Sequence, residues 1–319
     1  MTSSIRQTAT FDPTPSNIGG IAGTPSHFPC AFPLATLAGS TIVVLACIAN
    51  QVGNTVTGVS DSNALGTPYT SVKHLSSGVG GLDTGLYCKQ NAASIPAGDY
   101  GTSTGGSSTT LVDSSKSWTT NQWVGATFIN NSNGATSTVT SNTATTLTFG
   151  STIASSSGQV YTVGGYVDVQ VSNFDDYNAI RMQEVTGVSA SSLVGSAAAI
   201  QSSLAPGTNN IQTGTDTLGT NPVIIISFGI NDNDSGSGTF NPLADTSATD
   251  DGTGWLWDLS SPIMRQQHQN LSNPGTRGAQ FSAQTTPNDH YQSFMIALLD
   301  STGGGGGSTQ CSMGSDLWM

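Results

Sequence analysis

The chain is 319 residues long, enough for two or three domains that each bury a core. Charged residues make up only 8% of it, against about 25% in ordinary soluble domains, and the few bases are scattered singly, which excludes a groove built on phosphate contacts. A net charge of −12 accompanies abundant Val, Ile and Thr, the composition of a folded β-rich chain, and the single glutamate, Glu184, argues against helices and against Glu-based acid catalysis.

Residues 1–34 contain Pro13, Pro15, Pro25, Pro29 and Pro33 and read as an extended N-terminal arm carrying one short edge strand. The first residues lack the basic start and apolar core of a signal peptide, and nowhere do about 20 apolar residues run together, so membrane insertion is not expected. After Gly39, STIVVLACIA is continuous and β-branched, the pattern of a strand buried on both faces or in a sandwich core. NTVTGVSDS, TPYTSVKHL and DTGLYCKQN follow at intervals of about ten residues, each bounded by turn formers, a rhythm that predicts a sandwich.

Next, TSTGGSSTT reads as a linker, and Thr109 to Val163 forms a compact unit of short strands. Beyond Gly164 and Gly165 the alternation resumes in YVDVQVSNF and AIRMQEVTGV. The predicted organisation is a discontinuous host domain of residues 35–101 and 165–301, an inserted β-domain of residues 105–163, and a Gly-rich C-terminal tail of residues 302–319. Within the second half of the host, SAAAIQSSLA reads as one short helix, while NPVIIISFGIN and HYQSFMIALLD are the strongest buried strands. The fold class is all-β: an immunoglobulin-like or jelly-roll-like β-sandwich interrupted by a second, small β-domain.

Candidate chemistry is sparse. Cys47 and Cys88 lie in strand-like runs and are candidates for a cross-sheet disulfide, with two buried thiols as the alternative; the cysteine spacing is not that of a zinc site. Four histidines and many serines lack a G-x-S-x-G elbow, and His290 beside Asp289 reads as a turn entering the last strand. A glycosidase would need paired carboxylates, for which Asp175, Asp176, Asp250, Asp251 and Glu184 are the candidates, yet the Asp pairs read first as turn residues. Asp232 and Asp234 in NDNDSG offer alternating oxygens, but the EF-hand template meets Leu243 where it needs Glu. Trp255 and Trp257 would share one strand face and, with Tyr291, are candidates for a sugar platform or subunit interface. No catalytic residue, metal or cofactor is expected.

The segment LVDSSKSWTTNQWVGATFIN followed by TSTVTSNTATTLTF resembles a small β-module of tailed-phage tail, fibre and other virion proteins, through Trp118, Trp123, Gly125 and Ser141-Asn142-Thr143. Trp118 and Trp123 would anchor its core, and Ser-Asn-Thr would turn between two strands. The flanking host resembles β-sandwich modules of phage structural proteins, through AGSTIVVLAC, LYCKQNAASIPAGDY, YVDVQVSNFDDYNAIRMQEVTGV and YQSFMIALLD. The resemblance implies a structural component of a virion, assembled in the host cytoplasm, that decorates the capsid or forms a head or tail fibre. Its partners would be copies of itself, as a homo-oligomer of trimeric or higher order, and other virion proteins. Neither nucleic acid nor an inserted membrane is among the expected partners. The rival readings are a carbohydrate- or receptor-binding adhesin that contacts a surface glycan, a polysaccharide-degrading enzyme, and a cellular filament whose arm adds a strand to the next subunit.

Overall fold

A computed structural model describes residues 3–11, 26–50, 53–63, 67–77, 81–153, 155–172, 178–202, 210–232, 241–242, 249–250, 263–282 and 290–301. Among them there is no α-helix. Six strands precede the insert: β1 (Ser4–Phe11), β2 (Ser26–Cys30), β3 (Thr41–Asn50), β4 (Val56–Asp61), β5 (Thr70–Ser76) and β6 (Gly81–Lys89). The insert supplies β7 (Gly98–Thr102), β8 (Gly105–Gly106), β9 (Thr110–Val112), β10 (Thr127–Asn130), β11 (Thr136–Asn142), β12 (Thr146–Phe149) and β13 (Val160–Gly164). The host resumes with β14 (Val167–Val171), β15 (Asn178–Thr186), β16 (Val188–Ser202), β17 (Asn210–Gln212), β18 (Asp216–Thr217) and β19 (Val223–Asp232). The last six are β20 (Asn241–Pro242), β21 (Thr249–Asp250), β22 (Ile263–Leu271), β23 (Thr276–Arg277), β24 (Gln280–Ser282) and β25 (His290–Asp300).

The host is a stack of sheets. A central sheet of order β1-β15-β3-β6-β5 lies between the sheet β2-β14-β4 on one side and the sheet β16-β25-β19-β22-β21 on the other. In β3, Ile42, Val44, Ala46 and Ile48 face Phe28, Val59, Val167 and Val169, while Val43, Leu45 and Cys47 face Ile226, Phe228, Phe294 and Ile296. Both faces of β3 are therefore dry, which is why its sequence is continuously apolar and not alternating. The same holds for β19 and β25, whose outer faces, Val223, Ile225, Met295 and Ala297, are closed by Leu218 and Ala279 beside the short strands β18 and β23. The host is thus two sandwiches sharing one sheet, where the sequence pattern predicted one. The periodicity reports burial of a face without reporting which sheet covers it.

Two further expectations are corrected. SAAAIQS, the described part of SAAAIQSSLA, is not helical: it is the end of β16, paired from Val188 to Ser202 with β25 across two register shifts. Its helix propensity amounts to a few tenths of a kcal/mol per residue, which a long ladder with a covered face outweighs. No disulfide joins Cys47 to Cys88. They lie on paired strands, but Cys47 is opposite Thr84 while Cys88 is opposite Val43, four positions away along β6. At about 3.3 Å per residue that offset is roughly 13 Å, well beyond disulfide reach.

The insert has its own seven-stranded sheet, β7-β13-β10-β11-β12-β9-β8, and its own core of Trp118, Trp123, Phe128, Leu147, Phe149 and Tyr161. Its sheet begins at Gly98, inside the stretch assigned to the host from sequence, because β7 pairs with β13 from Gly98↔Gly164 to Thr102↔Val160. That two-stranded ladder is the neck joining insert to host. A Cβ at Gly98 would strike Gly165 O, and one at Gly165 would strike Pro96 O, so the crossing strands require glycine there. Ser-Asn-Thr turns between β11 and β12, with Thr143 N donating to Thr146 O. Asn142 does more than turn the chain: its Oδ1 accepts from Trp123 N and its Nδ2 donates to Thr119 O and Thr143 O, pinning the tryptophan loop.

Candidate functional site

Three parts of the chain converge where the arm strand β1, the segment after β2 and the neck strand β7 meet. Thr8, Ala9, Thr10, Ala31, Pro33, Gly98, Asp99 and Tyr100 line a cleft of about 210 Å³. Tyr100 is placed by its hydroxyl, which donates to Thr10 O at 2.6 Å and so ties insert to arm. Asp99 is fixed from three sides. Its Oδ1 accepts from Lys116 Nζ at 2.8 Å and from Tyr100 N at 2.8 Å, and its Oδ2 accepts from Trp118 Nε1 at 2.7 Å. Behind it, buried Asp113 accepts from Tyr161 Oη at 2.8 Å, and burial first, then this bond and the two nearby carboxylates, push the Tyr161 phenol well above its usual range. The cleft holds one carboxylate, already neutralised by Lys116, two threonines and one aromatic ring. That set can hydrogen-bond a small polar ligand but supplies no second carboxylate for hydrolysis of a sugar bond.

Along the arm a second polar cluster surrounds Glu184, which is fully buried. Its Oε2 accepts from Arg6 at 2.5 Å and from Gln7 Nε2 at 2.7 Å, and its Oε1 accepts from Leu37 N at 2.5 Å. Arg6 also donates to Ala35 O, and Gln7 bridges Leu34 through both its amide atoms. The only glutamate of the chain therefore fastens the arm and the loop after β2 to the central sheet. At the start of the arm, Ser3 N donates to Asp300 Oδ2 at 3.0 Å.

Two histidines reach inward carboxylates across sheet edges. His27 of β2 lies 2.8 Å from Asp168 of β14, and His74 of β5 lies 2.7 Å from Asp83 of β6. In each case the hydrogen bond to the carboxylate is the largest cause of a raised imidazole pKa, with desolvation opposing it. Asp83 Oδ1 also accepts from Val56 N, linking central and outer sheets.

The sequence candidates do not gather at one place. Tyr291 is fully buried between β19 and the short outer strands, not displayed on a surface: in β25 the residues 291, 295 and 297 share the face opposite Phe294 and Ile296. Glu184 serves as an arm clamp. Trp255, Trp257, Asp175, Asp176, Asp234, Asp251 and Asp289 lie outside the described residues, as do the side chains of Asp232, Asp250 and His290. Among the described residues no group of three or more His, Cys, Asp or Glu side chains could hold a metal ion. Sequence reasoning missed Asp99, Asp168 and Asp83; the available signal was a lone acid set between apolar or small residues, as in VDVQV and GLDTGL.

The chain matches no protein-family model and no curated protein sequence. Among solved structures it is similar to one titled "Biofilm associated protein - B domain", at 8% identity over 93% of this chain and 73% of that one, with a TM-score of 0.16. It is also similar to "The Triple Jelly Roll Fold and Turret Assembly in an Archaeal Virus", at 10% identity over 94% and 90% of the two chains, with a TM-score of 0.12.

Proposed function

We propose that this protein is a structural subunit of a bacteriophage virion that works through multi-copy interfaces, decorating or reinforcing a capsid or building a fibre, and that it catalyses no reaction. One observation carries the reading. The arm runs along β1 from Ser3, just before the strand and bonded to Asp300 at the end of β25, to Thr10, bonded to Tyr100 at the root of the insert. Seven residue steps at about 3.3 Å separate these two points by about 23 Å. A subunit whose tail and whose second domain leave opposite ends of one strand is suited to joining a particle at one end while presenting a module at the other. The use of charge supports the same reading. Arg6–Glu184 ties arm to sheet, Lys89–Asp61 ties β6 to β4, and Lys116–Asp99 braces the insert across its neck, so the ion pairs hold parts of the scaffold together.

The test is the mass of the purified chain by light scattering, followed by antibody labelling of particles in negative stain. A stable oligomer, with label on virions, is expected; a monomer with unlabelled particles overturns the proposal. A second reading, a glycan-binding module, draws on the cleft at Thr8, Thr10, Asp99 and Tyr100, which is of monosaccharide size. A glycan array separates the two.

A further inference from the structure

The arm strand β1 is attached to the molecule in an unusual way for a strand of the central sheet. Among the described strands it occupies an edge and pairs with β15 alone, from Ser4↔Thr186 to Phe11↔Ile180 with one register shift at Arg6. Of its described side chains, only Ala9 joins the core as a buried apolar residue, with Ile5 packed partly against the other face. What holds it is the main-chain ladder and a polar clamp: Arg6 and Gln7 on Glu184, Gln7 on Leu34, Ser3 on Asp300. The slot is the demanding partner, since without a strand in it Glu184 would be a buried carboxylate stripped of its cation. Over its described side chains the strand can leave at small apolar cost, whereas the slot must be filled.

Between Phe11 and Ser26 the chain has fourteen residues, 12–25, a length that spans at most about 50 Å. A strand on such a tether meets the same slot on a neighbouring copy with the same ladder, the same clamp and the same register. No new surface is required, and the balance between own and neighbouring slot is set by the tether and by concentration.

We propose that β1 is an exchangeable strand: the slot along β15 takes Ser4–Phe11 of a second copy of this chain in place of its own, so that copies are joined by their N-terminal arms. This deepens the multi-copy reading above and rests on it. Reciprocal exchange closes a dimer with every slot filled, and head-to-tail exchange runs on into a chain in which every slot but the one at its end is filled.

The register supplies the test. Ser4 Oγ and Thr186 Oγ1 lie 3.4 Å apart on the exposed side of the ladder, so Ser4→Cys with Thr186→Cys places two thiols in bonding range. The full-length double variant is made in a Cys311→Ser background; Cys30, Cys47 and Cys88 are buried. Equal amounts of nitrogen-15-labelled and unlabelled protein are mixed, equilibrated at rising concentrations and oxidised mildly, and the engineered disulfide is read by mass spectrometry of the linked peptides. Exchange predicts mixed-isotope pairs that rise with concentration toward the statistical share, together with cross-linked dimers or ladders on a non-reducing gel. Single-isotope pairs alone at every concentration overturn the proposal, and so does the absence of the disulfide, because β1 would then not occupy this slot. Light scattering on the same samples keeps the two ideas apart. An oligomer whose disulfides are all intrachain ends arm exchange and leaves assembly standing, whereas a monomer with intrachain disulfides ends both.

Discussion

Glu184 concentrates in one residue much of what fastens the arm, and its burial makes the effect of losing its partners asymmetric. Arg6→Ala leaves a fully buried carboxylate with only Gln7 and the Leu37 amide. Breaking a fully buried pair costs roughly 3–5 kcal/mol, and because Arg6 retains 28% side-chain exposure the expected loss is about 2 kcal/mol, read as a lower urea midpoint, with Arg6→Lys intermediate. In the insert, Asn142→Ala strands the buried Trp123 amide; at about 1–3 kcal/mol for a buried unsatisfied group, the insert should melt below the wild-type transition in near-UV circular dichroism. The thiols give a third check. Burial pushes Cys88 up to about 12 and Cys30 well above its ordinary value, so in the folded chain Cys30, Cys47 and Cys88 should stay unlabelled by maleimide at pH 8, while all four cysteines react in denaturant. Labelling of Cys88 in the native state would contradict the packing of β3 on β6. At this scale the sequence was a partial guide. Trp118 and Trp123 were legible as core because nothing else in a small β-unit buries that much surface, but Tyr291 was misread because its face depends on the register of β25, which no local pattern reveals.

Each His–Asp pair joins an edge strand to its inner neighbour, so the two pairs act as latches on β2 and β5. Because the hydrogen bond to the carboxylate raises each imidazole above its unfolded value of about 6.5, the folded state binds protons more tightly than the unfolded one. The stabilisation is then fully present below about pH 6.5 and fades as pH climbs through the raised folded values. Thermal melts between pH 5.5 and 9 should show a fall across that window, and His27→Gln with His74→Gln should flatten it; an unchanged slope in the double variant would rule the latches out. Sequence reading located β5 as a strand and expected one short edge strand somewhere in the arm, but could not find the latches, because no local pattern pairs Asp168 and Asp83 with histidines 141 and 9 residues away. The strands β3, β19 and β25 were the most legible elements, since a strand buried on both faces has a continuous apolar signature. β16 was the least legible, since Ala and Ser are compatible with helix, strand or turn and only pairing to β25 decides.

For the whole molecule, all-β character followed from strand rhythm, while the stacking of a three-stranded and two five-stranded sheets did not, because apolar periodicity identifies buried faces and not the partners that cover them. The neck makes the modular organisation testable. β7 and β13 end side by side, Thr102 opposite Val160, so residues 103–159 leave and re-enter the host at one hairpin position. Replacing them with an Asn-Gly turn would convert the neck into an ordinary two-residue hairpin, the connection that antiparallel strands favour. The insert's core is closed by its own residues, and the host cores on both sides of the central sheet gain only Val160 and Tyr100 from this region, both of which the shortened chain keeps. The shortened host should therefore fold with a cooperative transition within a few degrees of the host transition in the full chain. Residues 98–164 on their own should give a second, separate transition. A shortened host that is unfolded, with soluble and monomeric full-length protein beside it, would mean that the insert is an integral part of one core and that the neck does not divide the chain.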